Sequence, residues 1–185
     1  MLCLYHIIMK IEQQKELLDA VRSYLEHKLL GTEHPQLSND PYYDKELGLF
    51  VTLHIDGMLR GCIGYIQGFK SLRNALFEMA DAAAFQDTRF MPLREDELDQ
   101  IEIEISILTE LTEIADYHDI TIGIDGIFLK HGMRQAVFLP QVAPEQGWDL
   151  ETTLQHLSRK AGLPPNAYKD PKTKFEVFQA DVFSE

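Results

Sequence analysis

Within the six residues Leu59-Arg60-Gly61-Cys62-Ile63-Gly64 the chain places a thiol, a permanent cation and two positions without side chains. A guanidinium stays charged and favours the thiolate of a neighbouring cysteine. Arg60 and Cys62 on one face would therefore make a nucleophilic or redox thiol with an anion clamp. Gly61 and Gly64 weaken a strand and mark a bulge, or a place where a backbone or a ligand comes close. The competing reading makes Cys62 a small buried hydrophobe. Asp87 and Arg89 are spaced to pair in Phe85-Gln86-Asp87-Thr88-Arg89-Phe90-Met91-Pro92-Leu93, either as a structural corner or with one of them in a cleft. Glu104 joins the candidates as a base or cation partner if its strand face lines a cleft rather than solvent.

A strand must present the thiol. Phe50-Val51-Thr52-Leu53-His54-Ile55 is apolar and β-branched, and Asp56-Gly57 supplies the positive φ angles of a two-residue hairpin turn. Leu59–Gly64 is then the returning strand. A type I′ turn predicts Ile55 opposite Met58, Leu53 opposite Arg60 and Val51 opposite Cys62. His54, Thr52 and Phe50 go to the other face, so Arg60 shares a face with Cys62 and no histidine does.

Around this hairpin the periodicities predict a helix over 10–30 with Leu17, Leu18, Val21 and Leu25 inward and Gly31 as its stop. A second helix, capped by Ser71, runs to about Gln86. Strict alternation over Ile101–Leu108 predicts a strand with its isoleucines toward a core. Ile120–Ile124 opens a second β-rich stretch, and Ile127–Lys130 with Gln135–Leu139 forms a hairpin in which Phe128 faces Val137 and Lys130 faces Gln135. Asp149 caps a helix carrying Leu150, Leu154 and Leu157, and Lys174–Phe183 reads as one last strand. Antiparallel hairpins with segregated helices make the class α+β.

Composition narrows the function classes. With 45% hydrophobic residues in 185, the chain can bury one substantial core and a small second one. Its 30 acidic and 17 basic residues give a formal charge of −13, which repels phosphate backbones, so no nucleic-acid partner is expected. Cys3 and Cys62 fit a reducing compartment, and no CxxC or HxxxH spacing suggests a metal. The apolar run Leu2–Met9 is too short to span a bilayer and has no basic residues before it, so a cytoplasmic protein without a membrane anchor is expected. Residues 1–9 read either as an added edge strand or as sequence upstream of a start at Met9.

Four separated motifs together resemble the AMME-chromosomal-region (AMMECR) domain family over about Glu16 to Phe183. They are Leu59-Arg60-Gly61-Cys62-Ile63-Gly64, Phe85-x-Asp87-x-Arg89-Phe90-x-Pro92-Leu93, Phe138-Leu139-Pro140-Gln141-Val142 with Gly147-Trp148, and Arg159-Lys160-Ala161-Gly162-Leu163. Two positions depart from similar members: Ser158 stands where they often have cysteine, and Tyr168 where they often have tryptophan. The first departure tells against a shared two-thiol mechanism. The resemblance implies one domain over 1–185 in two subdomains, a larger one holding both termini and a smaller one from the middle of the chain. The signature strand would line a cleft between them. It also implies partnership with a Memo-like protein and a radical-SAM enzyme, as in the bacterial AmmeMemoRadiSam system, and it names neither a reaction nor a cofactor.

Two functions from different classes follow. As an enzyme-system component, the protein would use Cys62 as nucleophile or redox thiol and Arg60 as anion clamp, supported by Asp87, Arg89 or Glu104, with Leu59, Gly61, Ile63 and Gly64 shaping the site. As an adaptor, it would hold a peptide or partner protein, with Trp148, Phe90 and Arg89 as anchors and Gln141 beside them. Thiol reactivity separates the two.

Overall fold

The computed structural model describes residues 9–185. In chain order the elements are α1 (Ile11–Leu30), β1 (Gly48–Ile55), β2 (Met58–Tyr65), α2 (Leu72–Phe85), β3 (Ile101–Leu108), β4 (Thr112–Ile114), β5 (Gly126–His131), β6 (Arg134–Phe138), α3 (Val142–Gln146), α4 (Leu150–Lys160), β7 (Lys174–Phe178) and β8 (Ala180–Ser184). Two compact units result, one from residues up to Leu108 with Asp181–Glu185, the other from Thr109–Ala180. The sequence expectations for residues 1–8 lie outside the described residues.

The first unit is built on a sheet in the order β2-β1-β3-β8. Period-two alternation turns Leu49, Val51 and Leu53 of β1 and Ile101, Ile103, Ile105 and Ile107 of β3 to one face, where all are buried. Leu17, Val21 and Leu25 of α1 and Leu72, Leu76 and Met79 of α2 cover that face in one apolar cluster. Each fully buried leucine contributes about 2 kcal/mol of transfer free energy. Gly31, at φ 74°, ends α1 by donating its N–H to the His27 carbonyl.

The second unit has the sheet β4-β7-β5-β6, with Ile127, Leu129 and Phe175 packed against Leu154 and Leu157 of α4. Asp149 caps α4 by accepting from the Thr152 N–H at 2.8 Å. Phe128 pairs with Val137 and Lys130 with Gln135, the register that separates apolar from polar pairs. Antiparallel sheets with helices packed on them make the class α+β.

Three expectations are overturned. Ile120–Ile124 is a turn and not a strand: Gly123 adopts φ 84°, Ile124 N–H bonds back to the Thr121 carbonyl, and Asp125 accepts from the Thr121 N–H. Lys174–Phe183 is two strands, because Gln179 is held by reciprocal hydrogen bonds to Thr109 and β8 then joins the other sheet. The third concerns the register of the hairpin that carries Cys62.

Candidate functional site

The β1–β2 turn is type I′-like, with Asp56 at φ 52° and Gly57 at φ 71°, and Ile55 faces Met58 as expected. His54 then faces Leu59, but Leu53 faces Gly61, so Arg60 is a bulged residue without a partner. The slip moves Cys62 opposite Thr52, not Val51, and brings it onto the face of β1 that carries Phe50, Thr52 and His54. Gly61 is what permits the slip's packing. A Cβ there would stand 2.2 Å from the Ala83 carbonyl oxygen of α2. At Gly64 the ring of Phe50 fills the space, 2.3 Å from where a Cβ would lie.

Cys62 and Thr52 are a non-hydrogen-bonded antiparallel pair, so the Cys62 N–H and carbonyl point away from β1, off the edge of the sheet. Asp87 and Arg89 receive them. Asp87 Oδ2 accepts from the Cys62 N–H at 2.9 Å, and an Arg89 guanidinium N–H donates to the Cys62 carbonyl at 3.2 Å. The two residues also bind each other through both carboxylate oxygens, at 2.9 and 2.6 Å. The carboxylate is 4% exposed and the guanidinium 55%. This pair replaces a neighbouring strand at one residue of an open edge. The Arg89 hydrogen bond, with the N–H groups of Cys62 and Arg89, holds the Asp87 carboxyl far below its ordinary range.

Across the sheet, Cys62, Thr52 and Glu104 stand in one row on the side away from the helices. The Thr52 hydroxyl donates to the Cys62 sulfur at 3.2 Å. Burial pushes the thiol pKa up, and Asp87 and Glu104 push it the same way; the Thr52 hydroxyl and Arg89 pull it down without reversing the shift. Among the described residues Glu104 has no hydrogen-bond or ion-pair partner. The thiol is therefore neutral at physiological pH.

Arg60 does not supply the cation expected beside Cys62. Its guanidinium binds Glu97 bidentately, Nε to Oε1 at 2.7 Å and a terminal N–H to Oε2 at 2.9 Å. Glu97 also accepts from the Arg94 N–H at 2.9 Å. Arg60, Glu97 and Arg94 line a depression of about 290 Å³ with Phe90, Met91 and Pro92. Leu59 is 40% and Met91 80% exposed beside it in sequence. Thr52 and Glu97 complete this cluster without a sequence signal that marks them as its members. Thr52 lies on the face expected for it, and it is Cys62 that the bulge moves beside it; Glu97 sits in an acidic turn where nothing local distinguishes it from Glu95 or Asp96.

Gln141 and Trp148 belong to the second unit. Trp148 stacks on His156, with ring centroids 4.0 Å apart and planes 7° from parallel, and leans on Phe138 at 6.0 Å. Gln141 leads into α3 and receives the Glu145 N–H on its carbonyl at 3.1 Å. Ser158 is fully buried and returns its hydroxyl to the Leu154 carbonyl at 2.8 Å. Tyr168 is buried, and its hydroxyl donates to Glu151 at 2.9 Å. Both departures thus have packing roles in the second core. Among the described residues no cluster of three histidine, cysteine or carboxylate side chains suits a metal ion.

The AMMECR1 family model matches residues 18–183. A protein of Methanothermobacter thermautotrophicus is 41% identical over 94% of this chain and 95% of its own length. One from Methanocaldococcus jannaschii is 40% identical over 89% of this chain and 86% of its own. The crystal structure of an uncharacterized protein from Pyrococcus horikoshii superposes with a TM-score of 0.87, at 33% identity, covering 97% of this chain and 94% of that one. With the signature stretch, the Asp87–Arg89 clamp and both sheets inside the matched span, this chain belongs to the AMMECR1 family.

Proposed function

We propose that this protein is a binding component of an enzyme system, with a Memo-like protein and a radical-SAM enzyme as partners, and that it holds a partner on the surface around the signature strand without using Cys62 as a nucleophile. The observation that carries this reading is the treatment of Cys62. Its backbone is clamped on both sides, its sulfur accepts a hydrogen bond from Thr52, and burial keeps the thiol protonated. A nucleophilic cysteine needs a base in hydrogen-bond contact or a depressed pKa. What the same region offers solvent is Leu59, Met91 and the guanidinium of Arg89 packed over the Phe90 ring at 5.4 Å, residue types suited to anchoring a partner.

The test is an affinity measurement of the full chain against each partner protein, with Leu59→Lys and Phe90→Ala variants checked for fold by circular dichroism. Loss of binding by about tenfold or more in folded variants supports the assignment. Unchanged binding in both variants, or loss of the system's activity in Cys62→Ser with binding intact, would assign the function to the thiol.

A further inference from the structure

The second unit holds a depression of about 610 Å³ far from the signature strand in sequence, lined by His131, Leu163, Pro164, Asn166, Lys169 and Asp170 among others. The volume falls in the range of small-molecule sites, and the walls combine apolar surface with a few polar groups.

The hydrogen bonds fix which form of the imidazole the depression contains. The Thr173 Oγ lies 2.6 Å from the Ala167 carbonyl oxygen and 3.0 Å from His131 Nδ1. A carbonyl only accepts, so the single hydroxyl proton of Thr173 goes to Ala167. The Thr173 oxygen must then accept, and His131 Nδ1 carries the proton. In the neutral imidazole this leaves Nε2 with a free lone pair. Thr173 is 8% exposed and its N–H is bound to the Asp170 carbonyl at 2.8 Å, so the imidazole hangs from a fixed point of the loop. Prolines at 164, 165 and 171 stiffen the same loop.

We infer that this depression is a binding site for a small zwitterion with an apolar side chain, of the chemical class of a free amino acid. His131 Nε2 and the free oxygen of Asp170 accept from the ligand's ammonium; Asp170 Oδ1 already receives the Lys172 N–H at 2.9 Å. The Asn166 amide has no partner among the described residues and donates to the carboxylate. Lys169 assists, because its link to Glu151 spans 3.3 Å between two well-exposed side chains and exchanges readily. Leu163 and Pro164 take the aliphatic part.

Amide NMR of the full chain, titrated with L-leucine, leucinamide and 4-methylpentanoate, tests this. Leucine should shift His131 and residues 163–171 saturably, and each analogue lacking one charge should bind about tenfold more weakly or worse. Asn166→Leu and His131→Phe should each abolish the leucine shifts while leaving the signals of the first unit in place. Absence of saturable shifts up to about 20 mM leucine, equal response to all three compounds, or an imidazole protonated at Nε2 in long-range nitrogen spectra would overturn the assignment.

Discussion

Asp87 is the residue on which the geometry around Cys62 depends most, because one nearly buried carboxylate satisfies the Cys62 N–H, the Arg89 N–H and the Arg89 guanidinium. Replacing Asp87 by Ala leaves an edge N–H and a guanidinium without their acceptor and should cost about 2–4 kcal/mol in urea titration. The pH dependence has a definite sign. The folded state lowers the Asp87 pKa from its ordinary 3.8, so its contribution is complete above that value and is lost as the pH falls below it. The parent protein should therefore lose stability more steeply than Asp87→Ala below about pH 4, which urea midpoints taken across that range will show. Arg60 is a structural cation by the same logic. Its pair with Glu97 is 14% and 16% exposed, and Arg94 remains on Glu97 when Arg60 is gone. Arg60→Met should thus lower stability by about 1–3 kcal/mol, read as a drop in denaturant midpoint at unchanged slope. A loss under about 0.5 kcal/mol would show that the pair is only a surface contact.

At the level of elements, the contact of β2 with α2 is set by Gly61. A methyl group there would meet the Ala83 carbonyl oxygen, so helix and strand must separate. Gly61→Ala should cost about 3 kcal/mol, and Ala83→Gly should not rescue it, because the obstacle is backbone; thermal melts of the single and double variants test both statements. The same hairpin shows what was legible beforehand. β-branched content and the Asp56-Gly57 turn identify β1 and β2, and period-two alternation identifies β3, whose isoleucines point inward as expected because burial on one face writes itself into every second residue. The bulge did not announce itself. Glycines at 61 and 64 signalled irregularity, but a single extra residue at Arg60 inverted the faces of everything beyond it, which put Cys62 beside Thr52 and parted it from Arg60. Asp87 and Arg89 were recognisable as a pair, yet their main contact is with the backbone of residue 62, which no side-chain pattern encodes. Ile120–Ile124 looked like a strand by β-branched content, and the turn was decided by Gly123 and the Asp125 side chain.

For the whole molecule, charge and architecture limit what the protein can do. At −13, salt-dependent micromolar binding to duplex or single-stranded nucleic acid is not expected, and a gel or anisotropy titration at about 150 mM salt should show none. No helix among the described residues is long and apolar enough to cross a membrane. Family membership accounts for both sheets and for the signature strand, while the role as a binding component rests on the unactivated state of one thiol. The most direct test is alkylation of the folded protein across a pH series, with the Cys62 peptide quantified by mass spectrometry and Cys3 followed separately. The expected result is slow modification of Cys62 whose rate still climbs beyond pH 9.0, the ordinary value above which its pKa is raised. A rate that is fast and already level near pH 7 would mean a thiolate at rest, and Cys62 would then have to be treated as a nucleophile.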